Sequence, residues 1–255
     1  MTAVMSLSSF RHAPRKGHLN RTKRIYSYVS KMKHATIRVR VEEPDFSELP
    51  DEPYDWDHSI YGDVREEIPK DTPRPLGKFV VTTHYVDANL YHDIMTGRLV
   101  TGILHLINKT PLDWYSKKQA TVETATYGSE FVAGRTCTEQ IMDIRTTLRY
   151  LGVPLRKKCY MFGDNESVVN SASIPHAKLH KRHIALSFHR VREAIAAGVM
   201  SFRYLSGKDN PADMLSKHWG YQQVWKLLQP ILFWQGDIKD LIPQNISSVE
   251  VRKDQ

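Results

Sequence analysis

The sequence is organised around Met161-Phe-Gly-Asp-Asn-Glu-Ser-Val-Val169. The apolar run Cys159 to Phe162 predicts a short buried strand, and Gly163-Asp-Asn165 predicts its end. A helical pattern then begins at Ser167. Open α/β sheets place their chemistry at the carboxyl ends of central strands. Asp164 is therefore predicted to be one of several carboxylates that gather metal ions at such an edge.

Composition is typical of a basic globular protein of the cell interior. The chain has 255 residues, of which 41% are hydrophobic, enough for a sizeable core. No run of about 18 apolar residues predicts a membrane span, and no apolar N-terminal segment predicts a secretory signal. Cys137 and Cys159 fit reduced, buried thiols. We therefore expect an intracellular protein, cytoplasmic or nuclear, without a membrane partner. The net charge of +8 favours a polyanionic partner, first of all nucleic acid.

Charge divides the N-terminal part of the chain into two segments. Residues 1–41 contain ten Lys or Arg and no acid, and they predict a helix from His18 to Lys33 and a strand from Ala35 to Val41. Residues 42–71 contain twelve Asp or Glu and only two cations. Prolines interrupt this stretch and its exit, which predicts a loosely ordered linker over 42–77 rather than a packed element.

From residue 78 onward the pattern predicts regular secondary structure. Strands are expected at Phe79–Val86, Leu99–Ile107, Leu112–Tyr115, Cys159–Phe162 and Val199–Leu205. Helices are expected at Val122–Tyr150, Leu179–Ala197, Pro211–Lys217 and Tyr221–Leu228. The first three strands follow one another directly, which favours an antiparallel meander. The prediction is an α/β fold with a mixed five-stranded sheet, in which the meander precedes alternating helices and strands.

Four acids lie where strand ends and helix starts are expected to converge. Asp87 and Asp164 end strands, Glu130 lies in the first turns of the long helix, and Asp213 opens a later helix. Crowded carboxylates repel one another, and divalent cations remove that cost. Oxygen-only ligands select Mg²⁺ or Mn²⁺, and two such ions about 4 Å apart support phosphodiester hydrolysis. The alternative is that a chain with 28 acids places four near element ends without a shared site.

Four motifs resemble, in order and spacing, the ribonuclease H region of copia-type retrotransposon polyproteins. They are Lys117-Lys-Gln-Ala-Thr-Val-Glu-Thr-Ala-Thr-Tyr-Gly-Ser-Glu130, Gly163-Asp-Asn-Glu-Ser-Val168, Lys181-Arg-His-Ile-Ala-Leu-Ser-Phe-His-Arg-Val-Arg-Glu193 and Asn210-Pro-Ala-Asp-Met-Leu-Ser-Lys217. The resemblance covers about Gly77 to Trp219. It implies the ribonuclease H-like fold, a site that binds two Mg²⁺ ions, with Mn²⁺ as a possible substitute, and four catalytic, metal-binding carboxylates at Asp87, Glu130, Asp164 and Asp213.

Upstream, Met5-Ser-Leu-Ser-Ser-Phe10 and Arg21-Thr-Lys-Arg-Ile-Tyr-Ser-Tyr-Val29 resemble the tail of the preceding reverse transcriptase domain. The implied organisation is a reverse transcriptase tail over 1–41, the linker over 42–77, a ribonuclease H-like domain over 78–219, and a C-terminal helix and tail over 220–255. No Tyr-x-Asp-Asp polymerase motif occurs, so the chain is expected to be a polyprotein fragment that works beside an upstream polymerase domain. Gly128 and Asn89 depart from the family, which commonly has acids there.

Two basic stretches predict contacts with a nucleic acid backbone. Residues 176–192 contain no acid, and the candidate phosphate contacts there are Lys178, Lys181, Arg182, Arg190 and Arg192. A second candidate group precedes the long helix and consists of Lys117, Lys118 and Gln119. The alternative interpretation of both groups is an ordinary solvent-exposed surface.

Three functions are weighed from these features. The first is hydrolysis of the RNA strand of an RNA–DNA hybrid by two-metal catalysis, with the hybrid recognised through its groove width and 2′-hydroxyl groups. The second is a catalytically silent, basic nucleic-acid-binding remnant. The third is a ribonuclease H-like nuclease that acts on DNA.

Overall fold

The computed structural model describes residues 2–33, 35–50, 54–89, 99–120, 123, 125–156 and 158–233. The predicted helix start at Val122 and the tail from residue 234 onward lie outside these residues. Among the helices described, none is both long and apolar enough to cross a membrane.

The elements are numbered along the chain. The helices are α1 (Thr2–Ser8), α2 (Lys16–Lys31), α3 (Thr126–Tyr150), α4 (Glu166–Ser173), α5 (Ala185–Ala196), α6 (Asp213–Ser216) and α7 (Tyr221–Leu228). The strands are β1 (Thr36–Ile37), β2 (Thr82–Asn89), β3 (Val100–Ile107), β4 (Thr110–Lys118), β5 (Cys159–Gly163), β6 (Met200–Tyr204) and β7 (Leu232–Phe233).

Five strands form the main sheet in the order β4-β3-β2-β5-β6. The pairs β2–β3 and β3–β4 are antiparallel, whereas β5 pairs in parallel with both β2 and β6. A three-strand meander therefore precedes alternating helices and strands, with β2 at the junction between the two halves. The predicted α/β fold with a mixed five-stranded sheet is confirmed.

The meander turns tightly because Asn108 adopts a left-handed backbone conformation, with φ of 53°. Asn tolerates this region because its short polar side chain bonds locally. In this turn the bond is instead long-range in sequence, because the side-chain oxygen of Asn108 accepts a hydrogen bond from the Val81 N–H at 3.0 Å. Strand β4 begins at Thr110, two residues before the start predicted at Leu112.

Helices cover both faces of the sheet. The larger core lies between the sheet and α3, α4 and α5, and it includes Phe131, Ile141 and Phe188, each at most 2% exposed. A smaller apolar cluster on the other face joins Leu104 of β3 to Leu215 of α6. This second face matters for function because it brings α6 against β2 and β3.

Several element bounds differ from the prediction. Strand β2 begins three residues later and continues to Asn89, so Asp87 lies inside the strand rather than at its end. Helix α5 follows a 3-10 turn at Arg182–Ile184 and begins at Ala185. The strand predicted over 35–41 is reduced to Thr36–Ile37, which pairs with β7.

Residues 42–77, the acidic strap, contain no helix or strand in their described part, but they pack against the domain. The ring of Phe46 lies 4.2 Å from that of Tyr160. The Glu66 carboxylate accepts paired hydrogen bonds from Arg145 and Arg149 of α3, at 2.6–2.9 Å. The structure therefore differs from the predicted loosely ordered linker, because apolar and acidic side chains fix the strap to the sheet and to α3.

Candidate metal centre

Asp87, Asp164 and Asp213 meet at one edge of the sheet. Asp87 lies on β2 and is 1% exposed, and Asp164 directly follows the neighbouring parallel strand β5. Parallel neighbours end at the same edge, so these two acids are brought together by the sheet itself. Asp213, the first residue of α6, approaches from the helix above. Carboxylate oxygens of the three residues lie within 4.8 Å of one another.

Helix α6 reaches this position because β3 carries a glycine below it. Gly102 lies opposite Asp87 in the β2–β3 register. A Cβ atom on Gly102 would lie 2.6 Å from the Ala212 carbonyl oxygen and 2.9 Å from the Ser216 nitrogen. The backbone of α6 thus rests directly on the strand, at a distance that a side chain would prevent.

Asn210 ties the start of α6 to β2. Its buried amide donates to the Val86 carbonyl oxygen at 3.0 Å, and its side-chain oxygen accepts from the Ala212 N–H at 3.0 Å. The two bonds connect the strand that carries Asp87 with the residue before Asp213. They fix the separation of the two carboxylates.

Glu130 joins the cluster from α3. Its carboxylate accepts a hydrogen bond from the Ala88 N–H at 3.3 Å, and the side chain is buried. Burial, followed by repulsion from Asp87 and Asp164, raises the pKa of Glu130 well above its usual value. All four acids predicted from the sequence therefore lie together.

Lys217 is a cationic member of the site that the sequence prediction missed. Its Nζ atom lies 2.5 Å from Asp213 Oδ1 and 3.4 Å from Asp87 Oδ1. The sequence does indicate this lysine, because Lys217 follows Asp213 by four residues and residues at that spacing lie on the same side of a helix. Beside it, the Ser216 hydroxyl donates to Asp87 Oδ2.

The electrostatics show that negative charge is in excess here. Burial and the neighbouring Asp87 raise the pKa of Asp164, and the same two causes raise the pKa of Asp213 to about 6. Burial opposes the charge on Lys217, but Asp87 and Asp213 outweigh it and raise its pKa. Among the described residues one lysine pairs with acids of this site, so the site retains uncompensated carboxylate charge.

This donor set fits hard divalent cations. The side chains that converge offer carboxylate oxygens, the ligands that Mg²⁺ and Mn²⁺ prefer. The raised pKa values of three of the four acids mark a place where added positive charge would be favourable. Asp87, Glu130, Asp164 and Asp213 are the residues that could hold such ions.

The predicted phosphate contacts fall into exposed and buried groups. Lys178 and Arg182 are exposed, and Lys181 is half-buried, in the segment that precedes α5. This segment lies beside the start of α3, because His180 stacks edge-on against Tyr127 with centroids 5.8 Å apart. On the other flank, Lys117 is exposed on β4, and Lys118 donates to the Ser9 hydroxyl at 3.0 Å.

Two of the predicted phosphate contacts are corrected by burial. The Gln119 amide donates to Thr101 Oγ1 at 3.0 Å and to the Ser129 carbonyl oxygen at 2.9 Å, inside the fold. Arg192 is 1% exposed, and its guanidinium donates to carbonyl oxygens around the end of α4, including those of Ser171 and Ile174 at 2.6 and 2.7 Å. Both side chains hold elements together and do not face solvent. Arg190 is half-buried and pairs with Glu193 at 3.0 Å.

The departure at Gly128 has a structural counterpart. The buried carboxylate of Glu123 occupies the space where a Cβ atom of Gly128 would lie. Glu123 also bonds to His183 Nε2 at 2.9 Å. An acid from the preceding segment therefore lies beside the glycine in place of an acid at residue 128 itself.

Comparison with known proteins supports the resemblance inferred from the motifs. No family model matches the chain. It is 28% identical over 135 residues to the retrovirus-related Pol polyprotein from transposon TNT 1-94 of Nicotiana tabacum, a match that covers 52% of this chain and 10% of that protein. It is 23% identical over 215 residues to the corresponding polyprotein from transposon RE2 of Arabidopsis thaliana, covering 84% of this chain and 12% of that protein.

Among solved structures, LC11-RNase H1 in complex with an RNA/DNA hybrid aligns with a TM-score of 0.43 and 16% identity. That alignment covers 53% of this chain and 93% of the other. The chain spans about a tenth of the length of the curated relatives it matches. The resemblance predicted from the sequence is confirmed: the chain is homologous to a segment of the retrovirus-related Pol polyproteins of plant transposons.

Proposed function

We propose that the chain is a ribonuclease H-type endonuclease that hydrolyses the RNA strand of RNA–DNA hybrids with two divalent ions, Mg²⁺ in the first place. The observation that carries the proposal is the convergence of Asp87, Asp164 and Asp213, whose ligand atoms lie within 4.8 Å, with buried Glu130 bonded to the same strand. The homology to transposon Pol polyproteins supports a substrate formed during reverse transcription. It also supports work beside an upstream reverse transcriptase domain.

The four acids are proposed to hold the divalent ions from different elements of the fold. Divalent ions, when bound, supply activation of the attacking water and stabilisation of the leaving oxygen. Asp87 and Asp164 form the centre of the ligand set, since neighbouring strands hold them side by side. Glu130 and Asp213 complete it from two helices on opposite faces of the sheet. Packing around all four fixes their positions before substrate arrives, so little reorganisation is required.

The hybrid is proposed to cross the site between two basic groups at the surface. Lys178, Lys181 and Arg182 lie on the α3 flank, and Lys117 lies on the β4 flank. Contacts of this kind to phosphates are independent of sequence and weaken with salt. Selectivity for a hybrid would come from its groove width and its 2′-hydroxyl groups.

The test compares labelled RNA–DNA hybrid, duplex RNA and duplex DNA in Mg²⁺, Mn²⁺ or EDTA. We expect cleavage of the RNA strand of the hybrid alone, dependent on the metal. Asp164→Asn is expected to reduce the rate at least about a hundredfold, since metal stabilisation of a transition state is worth several kcal/mol. Asp143→Asn is the matched control, because Asp143 is an exposed acid on α3.

Each alternative function has its own outcome in this assay. Hybrid binding without cleavage would identify a silent nucleic-acid-binding remnant. Cleavage of duplex DNA would identify a DNA nuclease. Cleavage that survives Asp164→Asn would refute the assignment of the site.

A further inference from the structure

Helix α2 carries a surface that the proposed catalytic site does not use. Over Lys16–Lys31 only His18, Thr22 and Ile25 are half-buried, and all other side chains are exposed. The helix packs on α1 and contributes no buried residue to the fold. A helix so exposed makes little contribution to the core, so its side-chain pattern must be explained in another way.

The charge of this helix is not neutralised by the rest of the protein. Residues 1–41 contain no acid, whereas α2 alone contains Lys16, Arg21, Lys23, Arg24 and Lys31. Within the described ranges, none of these five cations forms an ion pair with a carboxylate. The acidic strap follows in the sequence, yet the ion pairs of its described acids Glu43, Asp63 and Glu66 are formed with cations of the domain or of the strap itself. The helix therefore presents its positive charge to solvent.

The cations are arranged along the helix. Arg21, Arg24, Tyr28 and Lys31 recur at i, i+3, i+7 and i+10, which places them along one side. We call these four residues the α2 stripe. At 1.5 Å per residue the stripe is about 15 Å long, which corresponds to about nine phosphate charges of a duplex. The exposed apolar residues Leu19, Tyr26 and Val29 lie on a different side.

The N-terminal half of the α2 stripe lies beside the end of α6. Arg21 and Arg24 line a cleft of about 330 Å³ together with His218, Ile25 and residues of the α1 segment. His218 directly follows Lys217, the lysine that bonds to Asp213. These two arginines thus share a cleft with the residue that follows Lys217, whereas Leu19, Tyr26 and Val29 do not line it.

We propose that the α2 stripe binds the phosphate backbone of the RNA–DNA hybrid next to the segment held at the carboxylates. The proposal rests on the proposed function for its choice of substrate. Charge complementarity and the cleft shared with His218 favour a nucleic acid over a protein as the occupant. The N-terminal helices would then lengthen the track on which the hybrid lies, from Lys178 and Arg182 through the metal centre to Lys31.

The test measures binding of the whole chain to a fluorescent hybrid of about 24 base pairs in EDTA, over about 50 to 200 mM KCl. Arg21→Gln/Arg24→Gln removes two charges while keeping good helix formers at exposed positions. We expect the slope of log affinity against log salt to decrease in magnitude by about 2. The ratio of the wild-type affinity to the affinity of Arg21→Gln/Arg24→Gln should accordingly fall about twelvefold across this salt range.

Lys70→Gln/Arg74→Gln is the matched control. It removes two charges from exposed residues of the acidic strap, next to Gly152 at the far end of α3. A helix of that length separates the control from Glu130 by about 30 Å. The control should leave the slope unchanged, and circular dichroism should show that both variants remain folded.

The outcomes separate this proposal from the proposed function. Equal slopes of log affinity against log salt for the wild type and Arg21→Gln/Arg24→Gln, with hybrid cleavage intact, would refute only the proposal that the α2 stripe binds the hybrid. In that case Leu19, Tyr26 and Val29 would make α2 a protein-docking helix. A lower slope in a chain that cleaves no hybrid would uphold the stripe as a nucleic-acid surface and refute the nuclease.

Discussion

Lys217 is the residue on which the metal-free site depends. Its ammonium group lies between Asp87 and Asp213 and is the positive charge nearest to the four carboxylates in the described structure. Without it, acids held together by the sheet and by α3 would repel one another in a partly buried place. The lysine therefore stabilises the cluster while occupying space close to the positions that a divalent ion would use.

The first prediction concerns Lys217→Met, which keeps the length of the side chain and removes its charge. In EDTA the free energy of unfolding should fall by about 2 kcal/mol, because charged hydrogen bonds to two aspartates are lost. Mg²⁺ should then stabilise the variant more than the wild type, since no lysine competes for the carboxylates. Urea denaturation with and without Mg²⁺ measures both effects.

Lys208→Met provides the control for this comparison, because Lys208 is exposed on the loop before α6. Lys208→Met should change neither the free energy of unfolding in EDTA nor the stabilisation by Mg²⁺. Equal Mg²⁺ responses in Lys217→Met and in the wild type would show that the lysine and the ion do not compete.

The second prediction follows from the pKa of about 6 for Asp213 in the metal-free protein. Because this pKa is raised above the unfolded value of 3.8, the protonated carboxyl contributes stability below pH 3.8 that is lost as the pH rises through 6. Divalent ions bind the ionised form, so the increase in melting temperature caused by Mg²⁺ should be larger at about pH 8 than at about pH 5. A Mg²⁺ effect that is constant over this range would contradict the raised pKa.

Single residues were predictable where topology determined their place. The meeting of Asp87 and Asp164 was predictable because neighbouring parallel strands run towards the same edge of the sheet, although Asp87 lies inside β2 and not at its end. Arg192 was wrongly assigned because a cation in a basic stretch has the same sequence signature whether it faces solvent or lies under a helix end. Its partners are carbonyl oxygens about 20 residues away, which carry no side-chain signal.

At the level of elements, the contact between β3 and α6 decides where Asp213 and Lys217 lie. The contact depends on Gly102, since the α6 backbone occupies the space of its missing side chain. A close approach of this kind requires glycine. The helix has only four residues, so its position is set by this contact and by Asn210 rather than by its own hydrogen bonds.

The third prediction is that Gly102→Ala displaces α6. The added Cβ meets backbone atoms that cannot rotate away, so the free energy of unfolding should fall by about 1 to 3 kcal/mol. Binding of Mn²⁺, measured by calorimetry, should weaken because Asp213 moves relative to Asp87. Gly17→Ala on α2 is the control, because no atom lies within 4 Å of a Cβ at Gly17. Unchanged Mn²⁺ affinity in Gly102→Ala would show that α6 does not need this contact.

The ends of helices and strands were predictable where residues next to them in the sequence terminate them. They were less predictable where a partner strand distant in the sequence sets the length. Helix α3 ends at Tyr150 as expected, because Gly152 adopts φ of 70° and Pro154 follows. Within the described residues, strand β1 is shorter than its alternating pattern indicated, and its pairing is with two residues of β7 almost 200 positions away. Alternation shows which face a strand exposes, but it does not show how far a partner strand extends.

At the scale of the whole molecule, Glu66 attaches the acidic strap to the domain. Burial opposes its charge, but Arg145 and Arg149 outweigh it and lower the pKa of Glu66 to about 2. The stability that the ionised Glu66 carboxylate contributes is fully present above the unfolded-state pKa of 4.5 and is lost as the pH falls towards 2. Arg145 itself is 2% exposed, so the strap compensates a charge inside the fold.

The fourth prediction is that Glu66→Gln destabilises the protein by about 3 kcal/mol at neutral pH, because it removes the carboxylate that pairs with the buried guanidinium of Arg145. The difference from the wild type should disappear as the pH approaches 2. Guanidinium denaturation at several pH values measures this. Glu67→Gln, at the exposed neighbouring position, should be close to neutral, and equal stabilities for the two variants would contradict a structural role for the strap.

The organisation of the whole chain was the part least accessible from sequence. Acids and prolines over 42–77 are typical of linkers, and nothing local shows that Glu66 meets two arginines about 80 residues later. Arg145 and Arg149 are spaced by four residues on α3 and so face the same side, which is a weak indication of a shared anionic partner. Identifying that partner requires the tertiary fold.

The attachment of the chain beyond α2 has a consequence for how tightly a hybrid is held. The backbone N–H of Arg38 donates to the Ile231 carbonyl at 2.9 Å, and that of Arg40 donates to Thr110 Oγ1 at 2.7 Å. The segment that connects α2 to these attachment points, after Lys31, is therefore only a few residues long. A short tether gives α2 an effective concentration in the millimolar range near the metal centre. Once a hybrid is seated on the carboxylates, even individually weak phosphate contacts of α2 would therefore be mostly formed, and the two sites would act as one bivalent ligand-binding surface.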